Sequence, residues 1–248
     1  MFRRLLIAVP LAFAGALLFW WLSLPWPILL RWHEPGRSAF MSMRIRQARA
    51  AEQPLDIRHE FMALTDLSRN LRRAIILAED GRFEEHDGID WVALAEEFHY
   101  RGDDDFSFLD AHDVAALVGA LRYYIANRDE VRGRSTITQQ LAKNLYFRTD
   151  RSIARKVEEL IVARRLEWFL SKDRILELYL NFAEFGPGVF GAEAAARLYF
   201  GKSAKNLTVE QAITLAATLP QPLTANPKKR PGRLEWRKDL IRQRMRGS

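Results

Sequence analysis

The sequence predicts a mainly α-helical protein with one transmembrane helix at its N-terminus. An uncharged apolar run opens the chain, and apolar residues after it recur at steps of three and four, the period of an amphipathic helix. Strand signals are few and short. The 248 residues, of which 48% are apolar and none is cysteine, suffice for a buried core and exclude disulfide scaffolds, thiolate metal sites and cysteine nucleophiles.

The uncharged run extends from Leu5 to Leu30. At about 1.5 Å per residue it can cross the roughly 30 Å of a bilayer's hydrocarbon core. Arg3 and Arg4 precede it, so the positive-inside rule places the N-terminus in the cytoplasm and the rest of the chain across the membrane. A cleaved signal peptide is the alternative, but the A-x-A sequence at residues 12–14 comes too early for its cleavage site.

Two helix signals follow the apolar run. Residues 36–53 are polar, basic and rich in alanine, and they form either a linker or a juxtamembrane helix. Residues 67–80 carry an apolar stripe, with Asp66 or Ser68 available as the N-cap and Gly81 as the stop.

Three further helices are predicted in the second half of the chain. The pattern of residues 155–185 fits two consecutive helices with a break near Ser171. Another helix covers residues 208–219, opened by a capping box between Thr208 and Gln211 and ended by the proline that follows.

The C-terminal tail is strongly basic. Nine basic and two acidic residues lie between Lys228 and Arg246, so this tail alone accounts for the net charge of +7. The rest of the chain is close to neutral, and the charge therefore gives no ground for a nucleic-acid partner. We interpret the tail as a solvated charged segment, with docking to anionic lipid as the alternative.

The first candidate site is the segment 78–90, AEDGRFEEHDGID. Glu79 and Asp80 leave a helix at a glycine turn, where an acid can face a cleft. Phe83 can pack beneath this turn while His86 shapes the next one. Acids at helix ends and lone histidines are usually structural, so the segment alone is a weak signal.

The second candidate site is the segment 133–146, which begins with a predicted N-cap at Ser135. Its polar face contains no acid and offers donors that suit a polyanion such as a pyrophosphate. An ordinary amphipathic surface helix is the alternative. The residues of this face are Thr136, Gln139, Gln140 and Lys143.

The third candidate site is the segment 150–160. Arg155 and Lys156 precede Glu159 by four and three residues and share its helical surface, and Arg151 adds positive charge one turn earlier. Either these residues form a surface ion pair of little stabilising effect, or the cations hold a second functional carboxylate. Periodicity does not decide between the two.

In this order the segments resemble the motifs of the peptidoglycan glycosyltransferases, glycosyltransferase family 51. E-D-x-x-F-x-x-H-x-G matches residues 79–88, G-x-S-T-I-T-Q-Q-L-x-K-N matches 133–144, and R-K-x-x-E matches 155–159. A further Y-L-N and A-A-x-x-Y-F stretch matches 179–200, and the resemblance covers about residues 60–225. Only a short tail follows, which fits the monofunctional form without a transpeptidase domain.

The resemblance implies a lysozyme-like helical fold and the polymerisation of glycan strands from lipid II. It implies that Glu79 is the general base and that Glu159 is the second catalytic carboxylate. The implied substrate-binding residues are Asp80, Phe83, His86, Ser135, Gln139, Gln140, Lys143, Arg151, Arg155 and Lys156.

The resemblance also implies the surroundings of the enzyme, which are the inner membrane with the catalytic domain on the periplasmic side. Lipid II, the growing lipid-linked glycan chain, membrane lipid and proteins of cell division or cell-wall synthesis are the expected partners, and nucleic acid is not. No cofactor is certain, and Mg²⁺ or Mn²⁺ is the candidate. The expected organisation is a cytoplasmic N-terminus (1–4), an anchor (5–30), a juxtamembrane linker (31–59), a glycosyltransferase domain (60–225) and a basic tail (226–248).

One segment and one position depart from the motifs. Residues 96–132 match none of them, and the family's corresponding part is variable and membrane-associated. Within this segment, residues 102–113 are predicted to be a mobile loop. Arg134 stands where the family often has glycine or alanine.

Two other functions remain as alternatives. A lysozyme-like lytic enzyme acting on peptidoglycan shares the fold, but finished glycan has no phosphate for a cluster of cations to bind. A membrane-anchored scaffold or nucleic-acid-binding protein would depend on the basic tail. Deletion of residues 228–248 is expected to abolish such binding and to leave a polymerase its chemistry.

Overall fold

The computed structural model describes residues 2–102, 110–127, 135–147, 152–229 and 231–247. Helices dominate these residues, which confirms the mainly α fold. The α-helices are α1 (Phe2–Ser23), α2 (Ala39–Ala50), α3 (Arg69–Glu79), α4 (Trp91–Glu97), α5 (Ala111–Asn127), α6 (Ile137–Tyr146), α7 (Ile153–Phe169), α8 (Lys172–Phe182), α9 (Ala192–Phe200), α10 (Val209–Thr218) and α11 (Pro231–Gly247).

A small sheet lies beside the helices. Its strands are β1 (Arg58–His59), β2 (Glu184–Gly186) and β3 (Val189–Phe190), in the order β1-β3-β2. The pair β1 and β3 is parallel and the pair β2 and β3 is antiparallel. The sheet is too short to change the fold class, as the scarcity of strand signals in the sequence predicts.

The core forms where α6 meets α7 and α8, and where α3 meets α10 and α11. Ile137 and Leu141 on α6 are fully buried, and Leu71 and Ile75 on α3 are as well. These residues are the predicted apolar stripes of the two helices. The C-terminal end of α3 and the N-terminal half of α6 line one groove, where the candidate site lies.

Local helix signals agree with the structure at three points. Ser171 is the N-cap of α8 after the break that follows α7. Thr208 and Gln211 form the complete capping box of α10. Ser68 is the N-cap of α3 by position, although its side chain donates to the Leu207 carbonyl oxygen and not to the helix end.

Two local predictions are wrong. Thr136, and not Ser135, caps α6, because its Oγ1 accepts the Gln139 N–H at 3.1 Å. The predicted loop 102–113 ends earlier than expected: residues 103–109 lie outside the described residues, and α5 already begins at Ala111. Asp110 supports this start, since its carboxylate accepts the His112 N–H at 2.7 Å.

The apolar N-terminal run forms α1 and a short 3₁₀ helix, Pro27–Arg31. Among the described residues, this run is the one segment long and apolar enough to cross a membrane. The 22 residues of α1 span about 33 Å. The regular helix ends at Ser23, before the end of the uncharged run at Leu30, because Pro25 and Pro27 cannot donate to a helical ladder.

Arg165 of α7 fixes the end of α1 to the helical body. It is fully buried, and its guanidinium donates to the carbonyl oxygens of Trp21, Leu24 and Pro25 at 2.5, 2.7 and 3.1 Å. The same guanidinium lies 4.5 Å from the Trp21 ring and 3.9 Å from the Trp26 ring. A cation at a helix C-terminus satisfies its free carbonyl groups and complements its dipole.

The segment predicted as a linker contains α2, which packs against α6 with Met41 and Met43 buried. The tail also packs. Leu234 and Ile241 of α11 are buried against α3 and α10. The interpretation of the tail as a solvated segment is therefore wrong for this face of α11, because its apolar residues recur seven apart and cover other helices.

Candidate active site

Glu79, the last residue of α3, lies in a groove between helices. Its Oε2 accepts a hydrogen bond from Gln140 Nε2 at 3.0 Å, and its Oε1 accepts one from Arg237 of α11 at 2.7 Å. Only 9% of the Glu79 side chain is exposed. The helix ends here because Asp80 turns out of the helical conformation, which brings the carboxylate to the groove.

Gln140 is oriented by Tyr179 of α8. The Tyr179 hydroxyl donates to Gln140 Oε1 at 2.9 Å, which leaves the amide Nε2 to donate to Glu79 and to the Ser135 carbonyl oxygen. Burial raises the pKa of Tyr179 well above its usual value, and the charge of Glu79 raises it further. The phenol therefore keeps its proton and remains the donor that sets the Gln140 amide.

Asp80 is an internal support for α6. Its Oδ2 accepts the N–H of Ile137, the first residue of α6, at 2.9 Å, a favourable place for a carboxylate. His86 Nε2 contacts both Asp80 oxygens at 3.0 and 3.1 Å. His86 Nδ1 accepts the Gly88 N–H, so Nε2 carries the proton and donates to Asp80.

Gly88 joins this turn to α6. Its carbonyl oxygen accepts from Thr136 Oγ1 at 2.7 Å and from Gln139 Nε2 at 3.1 Å. Its φ is +86°, and a Cβ here would lie 3.2 Å from the Ala163 carbonyl oxygen of α7. Glycine is therefore required at this point by both conformation and space.

Glu159 of α7 forms a second cluster. Its side chain is 3% exposed, and it accepts from Arg155 at 2.5 Å and from Lys156 at 2.7 Å. Lys156 Nζ also donates to Gln139 Oε1 at 3.0 Å and to Ser135 Oγ at 3.2 Å. Burial excludes the surface ion pair and supports the alternative of a carboxylate held by cations.

Lys143 lies between the two clusters. Burial lowers its pKa, an effect opposed by the charges of Glu159 and Glu79 and reinforced by those of Lys156 and Arg155. Its ammonium group makes no hydrogen bond within the described part of the chain. Lys143 lines the same groove as Glu79.

The groove has a volume of about 660 Å³. It brings together acidic, amide and cationic groups from α3, α6 and α11. Its polar lining includes Glu79, Ser135, Gln140, Lys143, Arg237 and Arg244.

Several expected substrate-binding residues lie elsewhere. Phe83 is fully buried and supports the turn after α3 from below. The His86 side chain is 6% exposed and binds Asp80. Gln139 is buried and holds Lys156. Direct substrate contact is therefore not supported for these residues, because other side chains already occupy their polar atoms or cover their rings, and Arg151 lies outside the described residues.

Three residues of the site are not predicted by the sequence motifs: Tyr179, Arg237 and Arg244. Tyr179 lies in a matched motif, but nothing in the sequence indicates that its hydroxyl lies beside the Gln140 amide. Arg237 and Arg244 lie in the basic tail, seven residues apart on one helical face. That spacing is the only signal that pointed to a shared surface.

Among the described residues, the one cluster that could hold a divalent cation does not fit one. Asp80, His86 and Asp90 place one ligand atom each within 4.8 Å of one another. Both His86 ring nitrogens are already hydrogen-bonded, Asp80 binds the start of α6, and Asp90 accepts the Ala93 N–H at 2.9 Å. Mg²⁺ or Mn²⁺ needs free oxygen ligands, so the mechanism contains no step through such an ion.

A family sequence model described as transglycosylase matches residues 47–102 and 95–246. The chain belongs to the transglycosylase family. This transglycosylase is 37% identical over 241 residues to a relative from Janthinobacterium sp. (strain Marseille), with 97% of this chain and 93% of the relative covered. It is 38% identical over 215 residues to one from Bordetella pertussis, with 87% and 81% covered.

A relative from Dechloromonas aromatica is 39% identical over 214 residues, with 86% of this chain and 82% of the relative covered. All three relatives are named biosynthetic peptidoglycan transglycosylase. The predicted family, fold class and glycosyltransferase activity are confirmed.

Proposed function

We propose that this transglycosylase polymerises the glycan strands of peptidoglycan from lipid II, with inversion at the sugar carbon and release of a polyprenyl pyrophosphate. Family membership and the names of the relatives make peptidoglycan glycosyl transfer the function of the chain. The observation that carries the finer proposal is one groove in which the Glu79 carboxylate and the Lys143 ammonium both lie.

Glu79 acts as the general base in this proposal. The 4-hydroxyl oxygen of the acceptor attacks C1 of the lipid-linked chain while Glu79 accepts the hydroxyl proton. The new C1–O bond forms as the bond from C1 to the pyrophosphate oxygen breaks, and that oxygen leaves with the electron pair. A positioned base of this kind contributes roughly 10²- to 10⁴-fold to the rate.

Lys143 stabilises the leaving group. Negative charge on the pyrophosphate increases as its bond to C1 breaks. A fixed cation in a groove stabilises this charge more than a cation in water does. The lowered pKa of Lys143 reflects burial of its charge, and a bound pyrophosphate would offset that cost. Lys156 and Arg155 add positive charge from α7.

Glu159 holds these α7 cations. With Arg155 on one oxygen and Lys156 on the other, its carboxylate is fully paired. Lys156 in turn reaches Ser135 and Gln139 at the start of α6. Glu159 therefore fixes the donor side of the groove, and this role requires no proton transfer.

The membrane role of α1 belongs to the same proposal. A helix of this length and composition, preceded by Arg3 and Arg4, suits a single span with the groove on the outer side of the inner membrane. A substrate with a polyprenyl tail is confined to a bilayer, so an anchored groove meets it there. Partners among cell-division or cell-wall synthesis proteins stay a prediction.

The test uses the full chain in detergent with labelled lipid II. Glu79→Gln keeps the size of the side chain and removes its basicity, so we expect at least a roughly 100-fold loss of polymer. The matched control is Glu84→Gln, an exposed carboxylate in the same turn, which should polymerise normally. Digestion of the product by a muramidase identifies it as glycan.

Full polymerisation by Glu79→Gln would remove Glu79 from the role of base. Incubation with finished peptidoglycan separates the lytic alternative from synthesis. A lytic enzyme would release soluble fragments, whereas the proposed polymerase should release none.

A further inference from the structure

Arg237 of the C-terminal helix binds the proposed general base. Its guanidinium donates to Glu79 Oε1 at 2.7 Å across 158 positions of sequence. The Arg237 side chain is 25% exposed and lines the groove. It lies in the basic tail, outside the four segments whose motifs suggested the active site.

The rest of α11 holds Arg237 in place. Leu234 and Ile241 are buried on either side of it along the helix. Arg244, a groove residue seven positions further along the helix, donates to the Leu77 carbonyl oxygen of α3 at 2.9 Å. Arg242 adds a two-point ion pair with Glu210 of α10. The Arg237 side chain is therefore positioned by α11, which packs against α3 and α10.

The contact between Arg237 and Glu79 is an ion pair. A carboxylate that is nine-tenths buried loses hydration, and an adjacent positive charge compensates for that loss. Gln140 supplies a neutral donor to Oε2, while Arg237 supplies the only ion pair of Glu79 among the described residues. Together the two donors fix the plane of the carboxylate and leave a lone pair on each oxygen for another proton.

We propose that Arg237 is a positioning residue that orients the Glu79 carboxylate, so that the C-terminal helix completes the active site. This inference rests on the proposed function, in which Glu79 is the base. It gives the basic tail a role in turnover that is independent of lipid or nucleic-acid binding.

The test measures kcat and KM for lipid II with Arg237→Gln and Arg237→Lys. We expect Arg237→Gln to lower kcat roughly 10- to 100-fold with KM unchanged, since a slightly misplaced catalytic group can cost about 100-fold. Arg237→Lys keeps the charge but loses the planar fork, so its kcat should lie between those of the wild type and the glutamine variant. Arg233→Gln is the matched control, because Arg233 is exposed on the same helix, and it should retain wild-type kcat.

A double-variant cycle tests whether Arg237 acts through Glu79. In the Glu79→Gln background, Arg237→Gln should cause no further loss of residual activity. A full additional loss in that background would overturn the inference. So would a raised KM with an unchanged kcat, which would make Arg237 a substrate-binding residue, or a lysine variant no better than the glutamine variant.

Two controls separate the possible failures. Moenomycin, a phosphoglycolipid inhibitor of glycan polymerisation, should bind the Arg237 variants as tightly as the wild type, which would show that the groove is intact. If Arg237→Gln unfolds at the assay temperature, Arg237→Lys carries the same kcat, KM and double-variant tests. Inactive Glu79→Gln with fully active Arg237→Gln would overturn this inference alone, whereas active Glu79→Gln would overturn the proposed function.

Discussion

The charge of Lys143 is buried and lies near charged groups of both signs. Burial lowers its pKa from the usual 10.5, and the two glutamates that face it raise the pKa only in part. The charged form is present below the pKa and is lost as the pH rises through it. Because the pKa is lowered, this loss begins at a lower pH than for an exposed lysine.

We therefore predict that Lys143→Ala weakens moenomycin binding by roughly 10- to 100-fold, the range for one charged hydrogen bond of about 1.5–3 kcal/mol. Lys143→Arg keeps its charge at any working pH, so affinity should fall with rising pH in the wild type but not in the arginine variant. Calorimetry at several pH values up to 10.5 measures both effects. Equal affinity of wild type and alanine variant would contradict the role given to Lys143.

For single residues, the motifs predicted which segments meet at the groove but not the direction in which each side chain points. Glu79, Gln140 and Lys143 reach the groove as expected. Asp80 and Phe83 lie in the same motif but point inward, one to the start of α6 and the other into the core. A turn that follows a helix has no period, so sequence could not assign these directions.

Helices were predictable where the signal was local. The capping box of α10 and the break before α8 follow from side chains within four residues of the helix end. The docking of α11 depends on contacts with α3 and α10, far away in sequence. Because most residues of this helix are charged or polar, its sequence is only a weak signal that Leu234 and Ile241 are buried.

Deletion of residues 228–248 should therefore abolish polymerisation, which reverses the expectation drawn from sequence. Loss of the buried Leu234 and Ile241 side chains removes roughly 3–6 kcal/mol of stabilisation at about 1.5–3 kcal/mol each. For a chain of this size, the melting temperature should fall by at least about 6 °C. Thermal unfolding and the lipid II assay measure the two effects, and a truncated chain with normal activity would contradict them.

In the molecule as a whole, the apolar helix α1 is connected to the other helices by Arg165 of α7. The apolar helix α1 was predictable from hydropathy. The joint was not, because the partners of Arg165 are backbone carbonyl groups exposed only where α1 stops. A buried arginine in an otherwise ordinary helix gives no sign in sequence of what it binds.

Replacement of Arg165 by methionine should loosen this joint. We expect Arg165→Met to lower kcat/KM for lipid II in liposomes roughly 10-fold relative to kcat/KM in detergent, because the groove loses its fixed orientation to the bilayer. Arg164→Met, at a half-exposed neighbour, is the matched control. Equal losses in liposomes and detergent would instead indicate general damage to the fold.

The Arg165 joint also limits how the enzyme can work on a surface. With α1 in a bilayer, as proposed, a guanidinium clamped between two indole rings leaves the catalytic body little freedom to swivel on this helix. The groove then stays at a fixed distance from the bilayer surface. Substrates must arrive at that height by sliding laterally, and a lengthening strand must depart outward while its lipid end stays level with the membrane surface.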